Sequence, residues 1–146
     1  MRKKINVQMK KTVENAILPT YATIGSVGAD LYSTVDIDLV PGMWATIDCG
    51  FAIALPEAYE AQIRARSGMA AKHGITVLNS PGTIDSDYRG SVCVILKNNS
   101  QNLFRVTKGM RIAQMVINPV TIGNFNVVQE LDETARGEGG LGSTGQ

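Results

Sequence analysis

The segment Asn79-Ser-Pro-Gly-Thr-Ile-Asp-Ser-Asp-Tyr-Arg-Gly90 gathers side chains that can work on a small polar ligand: two carboxylates (Asp85, Asp87), the Tyr88 phenol and the Arg89 guanidinium. A carboxylate presented on a loop can orient and deprotonate a water, and an adjacent aromatic ring can bear on an apolar face of the ligand. Thr83-Ile84 on one side and Val92-Cys-Val-Ile-Leu96 on the other are β-branched or apolar, so the segment is expected to be a hairpin with these groups at its tip. Pro81-Gly82 suits a tight turn, and Gly90 allows a positive φ or a close backbone approach. Asp and Gly are also what any solvated loop tip contains.

Three other places suit a polyanion. Arg66-Ser67-Gly68 opens the one convincing helical piece, 67–74, where backbone amides favour phosphate; Ser67 also reads as an ordinary cap and Arg66 as a surface charge. Gly109-Met-Arg-Ile-Ala-Gln114 sets Arg111 and Gln114 around a strand start. The last ten residues are half glycine and, with Arg136, Ser143 and Thr144, offer unhindered amides, a cation and two hydroxyls that can wrap a phosphate. Such a stretch cannot pack a core, so residues 134–146 are expected to form a mobile arm on a single 1–146 domain with a β core over 1–133. Asp30 and Asp85 are the remaining carboxylates of interest. Hydrolysis of a phosphoanhydride needs a base for water and Mg²⁺ to neutralise phosphates, and either Asp can serve at this level of reading. A Walker loop is absent from the sequence.

The elements that must position these groups are mostly strands. Alternation at Ile5, Val7 and Met9 gives a first strand, Val35–Leu39 another, and the apolar run Trp44–Leu55, broken by Gly50, two strands or one bent one. Tyr59–Ile63, Ile75–Leu78, Leu103–Thr107, Ile112–Val120 and Phe125–Val128 continue the series, separated by turn residues. Short strands at regular spacing and one short helix predict an all-β sandwich or barrel.

A chain of 146 residues fits one domain with a real core. With 14 basic and 13 acidic residues it offers no basic surface for nucleic acid. Cys49 and Cys93 lie in apolar runs and read as buried thiols of a reducing compartment, and a lone His73 does not build a zinc site. No apolar stretch of signal or membrane length follows the basic N-terminus, so a soluble cytoplasmic protein without membrane or nucleic-acid partners is expected.

Five segments taken together resemble the trimeric deoxyuridine triphosphatase (dUTPase) family in its own motif order: Gly28-Ala-Asp-Leu-Tyr-Ser33, Arg66-Ser-Gly-Met-Ala-Ala-Lys-His-Gly-Ile75, Asn79–Gly90, Gly109–Gln114, and Arg136-Gly-Glu-Gly-Gly-Leu-Gly-Ser-Thr-Gly145. The resemblance implies a β-barrel or jelly-roll-like fold and a homotrimer with shared sites. In such a trimer one chain supplies motifs one, two and four, a second supplies motif three and a third lends its tail. It implies hydrolysis of dUTP to dUMP and pyrophosphate with Mg²⁺, which limits uracil in DNA and supplies dUMP for thymidylate synthesis. It further implies that Asp85 holds the attacking water and touches the sugar 3′-hydroxyl. Tyr88 would pack under the deoxyribose and reject a 2′-hydroxyl, while Asn79 and the backbone near Cys93 would read uracil. Gly82, Thr83 and Ile84 would belong to the same substrate-binding segment. Arg66, Ser67, Gly68 and Gln114 would line the phosphates, and Asp30 would meet the metal through its waters. Arg136, Ser143 and Thr144 would close on the γ-phosphate, with Leu141 and Gly142 beside the base.

Three residues depart from the family pattern. Leu141 stands where Phe usually covers uracil, so tail closure is expected to contribute less. Met110 replaces an acidic residue, removing any polar contact made there to Arg66 or Arg111. Ala65 replaces a Pro before Arg-Ser-Gly, which should loosen that turn. Two other readings exist: a deoxycytidine triphosphate deaminase, which shares the fold but needs a Glu near the base, and a binding module that grips a partner protein with nucleotide as its switch. Retention of Asp85, Tyr88 and Arg136 favours catalysis.

Overall fold

The computed structural model describes residues 3–142. The strands are β1 (Gln8–Lys11), β2 (Ala29–Tyr32), β3 (Ile37–Leu39), β4 (Trp44–Ala54), β5 (Tyr59–Arg64), β6 (Ile75–Val77), β7 (Gly82–Ile84), β8 (Ser91–Asn98), β9 (Phe104–Val106) and β10 (Arg111–Pro119). A single helix, α1 (Ser67–His73), interrupts them. Two four-stranded antiparallel sheets, ordered β1-β4-β8-β6 and β2-β10-β5-β7, and the ribbon β3-β9 make a jelly-roll-like fold.

Alternation decides which faces meet. Ile47, Cys49, Phe51 and Ile53 on β4, with Val92, Val94 and Leu96 on β8, share one buried cluster with Leu31 on β2, Ala61 and Ile63 on β5, and Ile112, Ala113 and Met115 on β10. Each residue of that set is almost fully removed from water, about 1.5–3 kcal/mol for a Leu- or Phe-sized side chain, and the two sheets are thereby clamped together.

The apolar run 44–54 is one bent strand, and Gly50 is the bend. Its φ is +79°, and a Cβ there would come 2.7 Å from the Ala16 Cβ and 2.9 Å from the Thr34 Cγ2. Only glycine meets both conditions. The Asp48 carboxylate accepts a 2.6 Å bond from the Gly50 N–H across this kink.

Four expectations drawn from the sequence change within the fold. The first strand, expected at Ile5, Val7 and Met9, runs instead over Gln8–Lys11. The segment 79–90 is not a hairpin: β7 pairs with β5 and β8 pairs with β4 and β6, so the loop 85–90 crosses from one sheet to the other. Period-two patterning identifies a strand but not its partner, and a short loop between two strands is also compatible with a sheet-to-sheet crossing. Ser67 is the first helical residue and makes no capping bond; Arg66 holds the N-cap position in an extended conformation (φ −86°, ψ 127°). Gly74 does end the helix, in the left-handed region at φ 64°. Phe125–Val128 forms no strand, and Phe125 and Val127 are fully exposed. An apolar run becomes a strand only with an edge to pair with, and this one finds none within its own chain.

On the ribbon, Arg105 reaches Asp38 with two parallel bonds of 2.7 and 2.9 Å. The hydrogen bond from Arg105 holds the Asp38 carboxyl below its ordinary value. A carboxyl lowered by folding stabilises the fold above its unfolded pKa and ceases to do so as pH falls through its folded one. The melting-temperature gap between the parent and Asp38→Asn should be present at neutral pH, small because the pair is exposed, and should close on acidification below about pH 4. A gap that widens in acid would contradict the assignment.

Candidate functional site

β10 lies between β2 and β5, and the register puts Gln114 opposite Asp30 on one side and Arg64 on the other. Two residues past Arg64 the chain turns into α1, carrying Arg66, Ser67 and Gly68 to the same place. The result is a cleft of about 290 Å³ lined by Gly28, Asp30, Arg66, Ser67, Arg111 and Gln114, among others. The Asp30 side chain is 13% exposed, with the Arg66 Nε 3.3 Å from Oδ1 and the Arg111 Nη1 3.3 Å from Oδ2. Arg66 also donates from Nη1 to the Arg111 carbonyl at 3.3 Å. One carboxylate thus spreads two guanidiniums along a wall and leaves the triad with a surplus positive charge, an arrangement suited to phosphate oxygens. The Gln114 amide donates to the Ala65 carbonyl at 2.9 Å, which ties the turn before α1 to β10. Gly28 leaves room beside it, since a Cβ at that position would press on the Gln114 Oε1 and make that side chain shift.

The loop 85–90 faces a second, more open depression of about 650 Å³, lined by Leu55, Glu57, Asp85, Ser86, Asp87 and Arg89. It shares no lining residue with the first. The loop is tied internally: Arg89 Nη1 donates to the carbonyls of Ser86 (2.6 Å) and Tyr88 (2.9 Å), and the Tyr88 N–H donates to the Asp85 carbonyl (3.2 Å). Asp85 is exposed directly after the buried Ile84, so a fixed strand end presents a free-standing carboxylate. Tyr88 lies against Gly90, where a Cβ would meet its ring, and donates from Oη to the Ser91 carbonyl at 3.1 Å. Asn79 lies beside Gly82, its Nδ2 3.4 Å from where a Cβ on Gly82 would sit, and Thr83 is exposed on β7.

The two cysteines differ. Cys49 is buried, and burial, followed by the charges of Cys93 and Asp48, pushes its thiol up to about 12. Cys93 is exposed on β8 opposite Asp48, and partial burial and then the Asp48 charge raise its thiol as well. Neither is a thiolate nucleophile at neutral pH, and the expectation that both are buried is corrected for Cys93.

In the tail, Arg136 donates from Nε to the Gly139 carbonyl at 2.8 Å, and Gly137 to the Thr134 hydroxyl. Leu141 and Gly142 are exposed, with Leu141 at φ 45°, a left-handed value that its glycine neighbours adopt more readily. Ser143 and Thr144 lie outside the described residues.

One chain therefore brings Asp30, Arg66, Ser67, Gly68 and Gln114 together. It keeps Asp85, with Tyr88, on a separate loop, and neither depression is lined by Arg136, Leu141 or Gly142. Sequence reading passed over Ala22 and Ser26 as cleft-lining residues; their proximity in sequence to Gly28 and Asp30 was the available signal. No group of three or more His, Cys, Asp or Glu side chains that could hold a metal ion occurs among the described residues. No helix among them is long and apolar enough to cross a membrane.

Comparison with known proteins adds to this geometry. The family model described as dUTPase matches residues 14–145. The chain is 51% identical over 140 residues to the deoxyuridine 5′-triphosphate nucleotidohydrolase of Clostridium tetani, covering 96% of this chain and 97% of that one. It is 52% identical over 141 residues to the enzyme of the same name from Ehrlichia canis, covering 94% and 92%. Among solved structures, the Staphylococcus bacteriophage 80alpha dUTPase with dUpNHpp superposes with a TM-score of 0.90 at 27% identity, covering 98% of this chain and all of that one. A mutant dUTPase of the S. aureus phage phi11, described with a structural Mg(II) ion, shares the fold at a TM-score of 0.81 and 23% identity, covering 88% of this chain and all of that one.

The cleft yields a prediction. Asp30→Ala should leave Arg66 and Arg111 without their common partner and lower kcat/KM for a nucleoside triphosphate about tenfold, the worth of one charge-assisted contact. Steady-state kinetics with equal folded fractions checks this, and unchanged kinetics would show that the two arginines need no such anchor.

Proposed function

The chain belongs to the dUTPase family, and on that premise we propose that it hydrolyses dUTP to dUMP and pyrophosphate by attack of water on the α-phosphorus. The observation that carries this reading is the Asp30–Arg66–Arg111 triad, a preformed cationic wall inside the segment matched to the family.

In this reading the triphosphate lies along Arg66, Ser67, Gly68 and Gln114. Asp85 accepts a hydrogen bond from water, aims it at the α-phosphorus and takes its proton as the new P–O bond forms. The bond from the α-phosphorus to its bridging oxygen breaks, and pyrophosphate leaves with its charge met by the guanidiniums. Tyr88 lies under the deoxyribose, where a 2′-hydroxyl would collide with its ring. Asn79 and the backbone near Cys93 meet the uracil edge, within the segment that includes Gly82, Thr83 and Ile84. Arg136 closes on the γ-phosphate, with Leu141 and Gly142 beside the base; Ser143 and Thr144, outside the described residues, belong to the same proposed contact.

Mg²⁺ would fit this site mainly on the substrate's phosphates, with Asp30, the cleft's one carboxylate, the residue that would meet it through water. So bound, it supplies further neutralisation of the phosphates.

The two depressions share no lining residue in one chain, and we propose a homotrimer in which different copies bring them together. The exposed apolar residues Ile122, Phe125, Val127 and Leu131 support it, since they find no cover in their own chain.

Release of pyrophosphate from dUTP, with dCTP, dTTP and UTP run in parallel, tests the activity. Turnover of dUTP alone, reduced at least 10³-fold in Asp85→Asn on the order expected for loss of a general base, is the expected outcome. Binding of dUTP without turnover would overturn the assignment in favour of a nucleotide-gated binding protein. Leu141→Phe should lower KM for dUTP by adding an aromatic face, about 1 kcal/mol or fivefold; identical KM and kcat in the two proteins would remove any role for position 141 at the base.

A further inference from the structure

Tyr88 is held from behind by the motif's own Gly90 and by a group just outside it, Ser91. Its phenol donates to the Ser91 carbonyl at 3.1 Å, and its ring rests on the backbone at Gly90. Ser91 is the first residue of β8, at the point where the ladder with β4 is irregular: from Asp48↔Cys93 to Ala52↔Ser91, four residue steps along β4 face only two along β8. Regular pairing is therefore weakest at the residue that anchors the tyrosine. Side chains take over there. The Ser91 hydroxyl donates to the Asp48 Oδ1 at 2.6 Å, lies 3.1 Å from the Thr12 hydroxyl, and that same carboxylate oxygen accepts the Gly50 N–H at 2.6 Å. The Asp48 carbonyl in turn accepts the Thr34 hydroxyl at 2.7 Å. Asp48 is half-buried and has no cationic partner among the described ion pairs, so its oxygen is committed to these neutral donors.

We propose that Asp48 and Ser91 are positioning residues for Tyr88, and that through it they set discrimination against a 2′-hydroxyl. The inference rests on the reading of Tyr88 as the residue beneath the sugar. Rejection by contact requires a ring held to a few tenths of an ångström, because a hydroxyl is small and a ring free to tilt gives way to it. Asp48 fixes Ser91 through its side chain, Ser91 fixes the phenol through its carbonyl, and Gly90, with no Cβ, leaves room for the ring. None of these groups reaches the proposed path of the proton or the phosphates. Their loss falls on sugar selectivity and not on the chemical step.

The test is the ratio of kcat/KM for dUTP to that for UTP, measured on the full chain. Ser91→Ala and Asp48→Ala are each expected to lower the ratio about fivefold through faster use of UTP, with kcat on dUTP held within about twofold, as expected for a loosened site with intact chemistry. Asp48→Asn retains an oxygen that accepts both bonds and should restore the parental ratio, which a role of the charge alone would not allow. Tyr88→Phe, which removes only the tether, should fall to the same ratio, and adding Ser91→Ala to it should lower the ratio no further. Tyr88→Ala separates the two levels. If it leaves the ratio unchanged, the sugar-facing reading of Tyr88 fails and this inference with it. If it collapses the ratio while Ser91→Ala preserves it, Tyr88 acts at the sugar without this anchor and the inference alone is overturned. Should Asp48→Ala not fold, Ser91→Ala decides.

Discussion

Strand β10 is paired on both edges, and that double pairing fixes the phosphate-facing half of the site. Antiparallel register sets Gln114 across from Asp30 and Arg64 at once. A slip of one residue would turn every one of those side chains to the opposite face. The buried members Ile112, Ala113, Met115 and Val116 prevent the slip by filling the core from the same strand. The cleft is thus a by-product of core packing: the apolar residues of β10 hold the strand, and its polar residue Gln114 and the adjoining Arg111 are delivered to solvent where the charges converge.

The electrostatics follow from how few groups are present. A single half-buried carboxylate between two guanidiniums has its desolvation offset by both, and it pre-orders both forks before any ligand arrives. Met110, where the family usually carries an acid, leaves Asp30 as the carboxylate paired with either arginine in the described residues. The loop 85–90 works by a different device. It crosses between sheets and is cross-braced by Arg89 to its own carbonyls, while the Tyr88 phenol is tied to Ser91 at the start of β8. Rigid loop and preformed cleft share no lining residue in one chain, and the proposed assembly is what would bring water, base and phosphorus into line.

Much of this was legible in the residues. Strand content, the bend at Gly50 and the helix stop at Gly74 follow from periodicity and from what glycine alone tolerates. Arg66, Asp30 and Gln114 fall together as their motifs imply. The misreadings share a cause: local pattern does not specify partners. Thr83-Ile84 and Val92–Leu96 read as the two arms of a hairpin because nothing in either run says that β5 is the mate of one and β4 of the other. Ser67 was a plausible cap, yet the helix begins at it, one residue after Arg66. Phe125–Val128 has the composition of a strand without an edge to join. Asp48 and Ser91 carry no signature at all, since an Asp before a Cys-Gly and a Ser opening a strand are ordinary until the bulge brings them within 2.6 Å.

In the proposed assembly the cationic cleft of one copy and the Asp85 loop of another form one site. Co-expression of Arg66→Ala and Asp85→Asn chains, each inactive alone, tests it directly by dUTP turnover of the mixed assembly. Random assortment of two chain types over two contributing positions predicts recovery of about a quarter of the parental activity in the mixture. Mixed assemblies that form, yet remain as inactive as either variant alone, would show that a single chain supplies both halves and would contradict the account.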